Sequence, residues 1–210
     1  MFAMRGSWSS WALGACWCAL VVLLSLLGVF HDDAFFSFAY AHNGAYEQVG
    51  VEEAWRVTGE FRSFLAGGEL ESFPEDEAAH LEDVRSLYVQ GWWWSRSIIV
   101  LSLFLLVIVA FREDRSWLFA ASLRRGALLL FLLVLVLGAL SLRWEWFFNA
   151  FHEVLFVDNW LFPYETLTIR LWGGSFFPFA AAYVFAQQVV VAAFLFLLSK
   201  SVTWRLSRSR

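Results

Sequence analysis

The sequence predicts an all-α membrane bundle of four transmembrane helices with a small extracytoplasmic cap, helical or mixed α/β. Three observations predict it. First, 60% of the 210 residues are hydrophobic and only 16% charged, with mean hydropathy +0.60, whereas a soluble domain is about half apolar and about a quarter charged. Second, four apolar runs approach the roughly 20 residues that a helix needs to cross hydrocarbon. Third, basic residues gather in the segments that lie on one side if those runs cross. Two cysteines without a CxxC pair exclude a disulfide scaffold. A net charge of -4 excludes a basic nucleic-acid binder, so no nucleic-acid partner is expected.

The first span is residues 11–30 of an N-terminal segment 1–30. It is too long for a signal peptide, and Phe30-His31-Asp32 offers no small-residue cleavage site. The second is residues 98–111, extended to 92 by Trp92-Trp93-Trp94, which suit an interfacial aromatic belt. The third is residues 127–142 and the fourth 176–198, ending at Lys200. Cys16 and Cys18 read as small apolar fillers of the first span, and Gln187 and Gln188 as hydrogen-bonding partners for another helix.

Four spans put both ends of the chain on one side. Arg5, Arg112, Arg115, Arg124, Arg125, Lys200, Arg205, Arg208 and Arg210 then share that side with Glu113 and Asp114 as its only acids. The Lys/Arg bias assigns it to the cytoplasm. The loop 112–126 and the tail 199–210 are then cytoplasmic, and the segments 31–91 and 143–175 are extracytoplasmic.

Within 31–91, the sequence leaves the fold of residues 31–50 open, including whether they form a strand or a wedge. Val51, Trp55, Thr58, Phe61 and Leu65 mark one helical face that Gly67-Gly68 should stop. A second helix should start at Pro74-Glu75-Asp76-Glu77 and run to Gly91, with Asp76, His80, Asp83 and Leu87 on one stripe. The acidic excess of this segment reads as a solvated face. In 143–175 the apolar period continues past Leu142, so the third span should project from the bilayer as one long helix ending near Asp158-Asn159. On that helix Glu145, Asn149 and His152 line one face. Trp92, Trp93, Trp94, Trp144, Trp146, Trp160 and Trp172 read as the outer interfacial belt.

His31 and His42 read as surface or structural groups. His80 and His152 stand among polar neighbours near membrane level, where two imidazoles can exchange protons near neutral pH. Together with Asp83 they also offer three candidate zinc ligands, although no HExxH motif is present. No Gly-x-Ser-x-Gly, Walker or dinucleotide motif occurs, so neither an enzyme serine nor a cofactor is indicated. A non-catalytic membrane binding or assembly protein is the alternative reading. A transporter is disfavoured, since no span carries an acid–base pair and no inverted repeat occurs.

Residues 77–88 read EAAHLEDVRSLY, which resembles the E-x-x-H-x-x-D-V-[KR]-x-L signature of a bacterial four-span family. FNAFHEVLF at 148–156 resembles that family's F-x-x-F-H-x-x-x-F, and DNWLF at 158–162 its D-x-W-L-F/L turn, although Phe162-Pro163-Tyr164-Glu165 departs from the family pattern. The family is the lipoprotein intramolecular transacylases, which make lyso-form lipoproteins. The resemblance implies an acyltransferase of the bacterial cell membrane that acts on diacylglyceryl-modified lipoproteins amid membrane lipid. It moves the glycerol sn-2 acyl chain onto the substrate's own α-amine. It implies that His80 and His152 are catalytic and that Asp83 orients His80 or holds the ammonium. The oxyanion donor is left open among Asn149, Asn159, Tyr88 and a nearby arginine such as Arg85, with Glu145 as a further supporting residue. No metal and no cofactor are implied.

Overall fold

A computed structural model describes residues 8–156 and 160–208. Among these residues all regular secondary structure is helical: α1 (Trp8–Val29), α2 (Asp33–Asn43), α3 (Ala45–Val49), α4 (Val51–Leu65), α5 (Glu75–Ala110), α6 (Arg115–Ser141), α7 (Trp144–Leu155), α8 (Leu167–Trp172) and α9 (Phe176–Arg208). Helices α1, α5, α6 and α9 are long and apolar enough to cross a membrane. The chain forms two compact units.

The first unit comprises Met1–Ser25, Trp93–Gly138 and Phe185–Arg210. Most of its large apolar side chains are exposed, among them Leu103, Phe104, Val190 and Leu197. An apolar surface of that extent needs lipid. Where its helices meet, small residues let backbones touch. A Cβ on Gly14 would lie 2.9 Å from the Ser122 carbonyl oxygen, and one on Gly126 would lie 3.0 Å from the Gly14 carbonyl oxygen. That is the close approach that lipid-embedded helices use in place of a hydrophobic driving force. Polar groups complete the contacts. Trp17 Nε1 donates to Ser122 Oγ at 3.4 Å, Ser199 Oγ donates to the Ala120 carbonyl at 2.8 Å, and Arg125 lies over the Trp11 ring at 4.5 Å. Cys16 is buried and Cys18 half-buried, both as free thiols. Gln188 is buried, but its Oε1 has no partner among the described residues, so the expected interhelical bond is not made there.

The second unit comprises Leu26–Trp92 and Ala139–Val184. Residues 31–50 form α2 and α3, neither strand nor wedge. Local signals settle this: Asp32 caps α2, its Oδ1 accepting the Phe35 N–H at 3.0 Å, and Gly44 ends it at φ +85°. Helix α4 stops at Ala66, and Gly67 follows at φ +113°, as the sequence predicts. The core gathers Phe35, Phe36, Tyr40, Val57, Phe61, Phe64 and Phe73 with Leu81, Leu171, Trp172 and Phe176. At its centre the Trp172 indole donates to the Tyr40 hydroxyl at 2.9 Å. That hydroxyl meets Thr58 Oγ1 at 2.7 Å, whose own proton goes to the Ala54 carbonyl. Burial pushes the Tyr40 phenol up to about 12. Replacing Tyr40 with phenylalanine leaves the Trp172 N–H buried and unpaired, so unfolding measurements should show a loss of about 1–3 kcal/mol.

Several expectations about this chain are corrected. Helix α5 runs unbroken through Gly91 into the second span. One glycine costs a helix only about 1 kcal/mol, and Gly91 sits against Leu27, where a Cβ would meet a methyl at 3.1 Å. The third span does not project as one long helix. α6 ends at Ser141 and α7 begins at Trp144, because Arg143 turns the chain at φ -107°, ψ 67°. α7 also ends early, at Leu155, where Phe156 is extended. Asp158 and Asn159 lie outside the described residues. Helix α9 continues past Lys200 to Arg208, since nothing in that stretch breaks a helix, and α6 takes up most of the loop drawn at 112–126. Nor is the acidic excess merely solvated. Glu60 accepts the Glu71 and Ser72 N–H groups at 2.6 and 2.7 Å and so fixes the loop that leads into α5.

Candidate active site

The site is built within the second unit from the first turns of α5, the length of α7 and the chain on either side of α8. Pro74 opens α5, with the Ala78 N–H bonded to its carbonyl at 2.8 Å. Two turns on, His80 is buried. His152 is buried near the end of α7. The two rings, distant in sequence, stack with centroids 6.4 Å apart and planes inclined by 25°. Phe156 touches both, at 4.7 Å from His80 and 5.4 Å from His152. Phe162 closes on His80 at 5.6 Å, while Phe148 at 4.0 Å, Trp160 at 5.0 Å and Phe177 at 6.4 Å enclose His152.

This apolar wall sets the electrostatics. Burial holds both imidazoles below their usual range, because it penalises the charged ring. His152 lowers His80 further, and the Asp83 charge opposes both effects. The carbonyl of Phe148 raises His152 against burial. His152 Nδ1 lies 2.8 Å from that carbonyl. A carbonyl only accepts, so Nδ1 carries the proton and Nε2 the lone pair. His80 Nδ1 is buried with no partner among the described residues.

Other sequence candidates lie elsewhere or are committed elsewhere. Asp83 is exposed and reaches His80 through its field, not by a hydrogen bond. Glu145 and Asn149 are exposed, although they share α7 with buried His152. The Tyr88 hydroxyl pairs with His31 Nε2 at 2.7 Å. Arg85 pairs with Glu82 at 3.2 Å and lies over the Phe64 ring at 4.9 Å. Asn159 is outside the described residues. His42 is held by the Phe38 carbonyl, as a structural histidine would be. No three His, Cys, Asp or Glu side chains among the described residues gather as metal ligands.

Sequence reasoning missed two features. Trp160 and Trp172, assigned to the interfacial belt, are instead a wall of the histidine site and part of the core, whereas Trp93, Trp94 and Trp146 are exposed as a belt requires. Glu77 is 1% exposed and accepts the Thr168 N–H at 2.7 Å. The available signal was its place four residues before Leu81 and seven before Val84, on an apolar face.

The chain matches the family model described as lipoprotein intramolecular transacylase over residues 12–177. Among solved structures it is similar to the membrane-integral lipoprotein intramolecular transacylase from Bacillus cereus, with a TM-score of 0.83 at 14% identity, covering 96% of this chain and 97% of that one. Two variants of that protein, with a histidine replaced by arginine or by alanine, match with TM-scores of 0.79 and 0.78, also at 14% identity. They cover 97% and 96% of this chain and 94% of each of theirs. No curated protein matches significantly.

Proposed function

The chain belongs to the lipoprotein intramolecular transacylase family, a family of acyltransferases, and from that premise we propose that it moves the sn-2 acyl chain of a diacylglyceryl-cysteine lipoprotein onto that lipoprotein's own α-amine, with His80 and His152 as the proton carriers. The observation that carries the proposal is the pair of stacked imidazoles inside an aromatic wall, both shifted by burial toward the neutral form.

The substrate supplies its own nucleophile, so no enzyme serine or cysteine is required. The α-ammonium first gives a proton to the lone pair on His152 Nε2. The free amine then attacks the ester carbonyl. Attack makes the nitrogen cationic and acidic, and its second proton passes to His80. His80 delivers that proton to the departing glycerol oxygen as the C–O bond breaks. An amide and a glycerol hydroxyl remain, and the proton on His152 leaves to solvent. General acid–base help of this kind contributes about 10²–10⁴-fold, and holding amine and ester in one enclosure adds the proximity gain. The lysine and arginine bias supports cytoplasmic termini and a site open to the extracytoplasmic side, where lipidated substrates with a free N-terminus are displayed.

The test is to incubate the purified protein with a diacylated lipopeptide. The α-amine should disappear from amine-reactive labelling, while one ester remains on the glycerol. An unchanged amine would refute the assignment. The pH profile gives a second expectation. A base that must be neutral fails on acidification, so the rate should fall through an apparent pKa below the usual imidazole value of about 6.5, and that value belongs to the pair. Asp83 opposes the lowering at His80, so Asp83→Asn should move the acid limb further down. A limb above about 6.5 in the wild type would contradict the burial argument.

A further inference from the structure

Glu77 is a buried carboxylate that the acyl-transfer chemistry leaves unused. It is 1% exposed, and among the described residues its side chain accepts one hydrogen bond, from the neutral Thr168 N–H at 2.7 Å. No arginine, lysine or histidine among the described residues forms an ion pair with it. A buried anion without a cation is costly. Two further polar atoms close by have no partner either. Thr168 Oγ1, on the residue that Glu77 holds, is buried and unbonded, and so is His80 Nδ1. Glu77 and His80 are one helical turn apart on α5, both buried, which puts their Cβ atoms about 5–6 Å apart.

A carboxylate, a hydroxyl and an imidazole nitrogen with unmet bonding capacity match one kind of ligand. A primary ammonium brings one positive charge and three N–H donors. We propose that Glu77 anchors the substrate's N-terminal α-ammonium, with Thr168 Oγ1 as a second acceptor, so that a third N–H is left toward the histidine pair. This rests on the transacylase reading, since that reaction requires a free α-amine at the histidines. Glu77 thereby selects substrates that have not yet been N-acylated, and the amide product, having no charge, loses its anchor and departs.

The proposal is tested by binding without chemistry. The probe is a lipopeptide whose glycerol chains are attached by ethers, which cannot transfer, prepared with a free α-amine and with an N-acetyl cap. Wild-type protein should bind the free-amine form at least tenfold more tightly. In Glu77→Gln the side-chain oxygen can still accept the Thr168 N–H, so the variant should keep its thermal midpoint, while the preference collapses to within about twofold. Retention of the tenfold preference by Glu77→Gln would overturn the anchor. So would equal binding of the two probes by wild type, a result that does not depend on any variant folding. Neither probe reacts, so a preference found in a protein that fails to transacylate would leave the anchor standing and remove the histidine chemistry. Transacylation that is indifferent to Glu77→Gln in KM and in probe binding would do the reverse.

Discussion

Replacing His152 with alanine should lower the rate of N-acylation by about 10²–10⁴-fold, the range expected when a positioned proton carrier is lost. His80→Ala should fall in the same range. The double variant should lose little beyond the worse single variant, because groups that act as one unit are non-additive. The basis is geometric. The rings share an enclosure at 6.4 Å, Phe156 touches both, and the Phe148 carbonyl fixes the His152 tautomer with Nε2 unprotonated. Both rings are buried and packed, so the thermal midpoint of each single variant is measured beside its rate, and the loss of rate should exceed any loss of folded protein. Full activity in either one would remove it from the chemistry. Glutamine at 152 is a sharper probe, since it retains polarity but cannot take a proton. It should be as inactive as alanine.

Replacing Trp172 with alanine should cost about 3–5 kcal/mol of stability, the usual range for a large buried aromatic. Trp172 is 6% exposed, packs on Phe61 at 4.9 Å and stacks on Phe73 at 5.8 Å. Its indole N–H also donates to the buried Tyr40 hydroxyl, so truncation removes apolar contacts and a hydrogen bond together. Against total stabilities of about 5–15 kcal/mol, a loss of that size should show as early chemical unfolding in detergent or lipid. Trp93 is the internal control. It is 63% exposed, and Trp93→Ala should change stability by less than about 1 kcal/mol. Similar small effects at both positions would contradict the core assignment of Trp172.

The four spans are legible in the sequence because hydrocarbon demands long apolar runs and little else produces them. Their ends are less so. The break at Leu142 and Arg143 falls where the apolar period continues and neither glycine nor proline marks a stop, so periodicity alone joins α6 to α7. The opposite error occurs at Gly91, where a glycine suggests an end that packing against Leu27 overrides. Residues 31–50 carry aromatic side chains that suit strands as well as helices. The decisive cues there are a capping aspartate and a left-handed glycine, Asp32 and Gly44.

In the candidate site, His80 and His152 stand out through their short motifs, and the structure brings them together. Their supports are harder to read. Phe148 and Phe156 fit ordinary helical periodicity, and Trp160 looks like any membrane-interface tryptophan. Glu77 sits among Glu75 and Asp76, where acids favour the helix start by their charge alone. Its burial depends on α8, a six-residue helix remote in sequence. Asn149 and Glu145 illustrate the limit of face arguments. They lie at helical spacing from His152, yet only His152 turns inward.

Transfer within one molecule produces an isomer of the substrate, so intact mass is silent and fragmentation must read the product. Two diacylated lipopeptides are mixed with the purified protein in equal amounts, one fully light, the other heavy in both its acyl chains and its peptide. Tandem mass spectra of the products should show cysteine amides that are wholly light or wholly heavy, each with a single ester left on its glycerol. A light peptide carrying a heavy amide, or the reverse, would mean that acyl groups pass between molecules or through the protein, and would contradict direct migration between two neutral histidines.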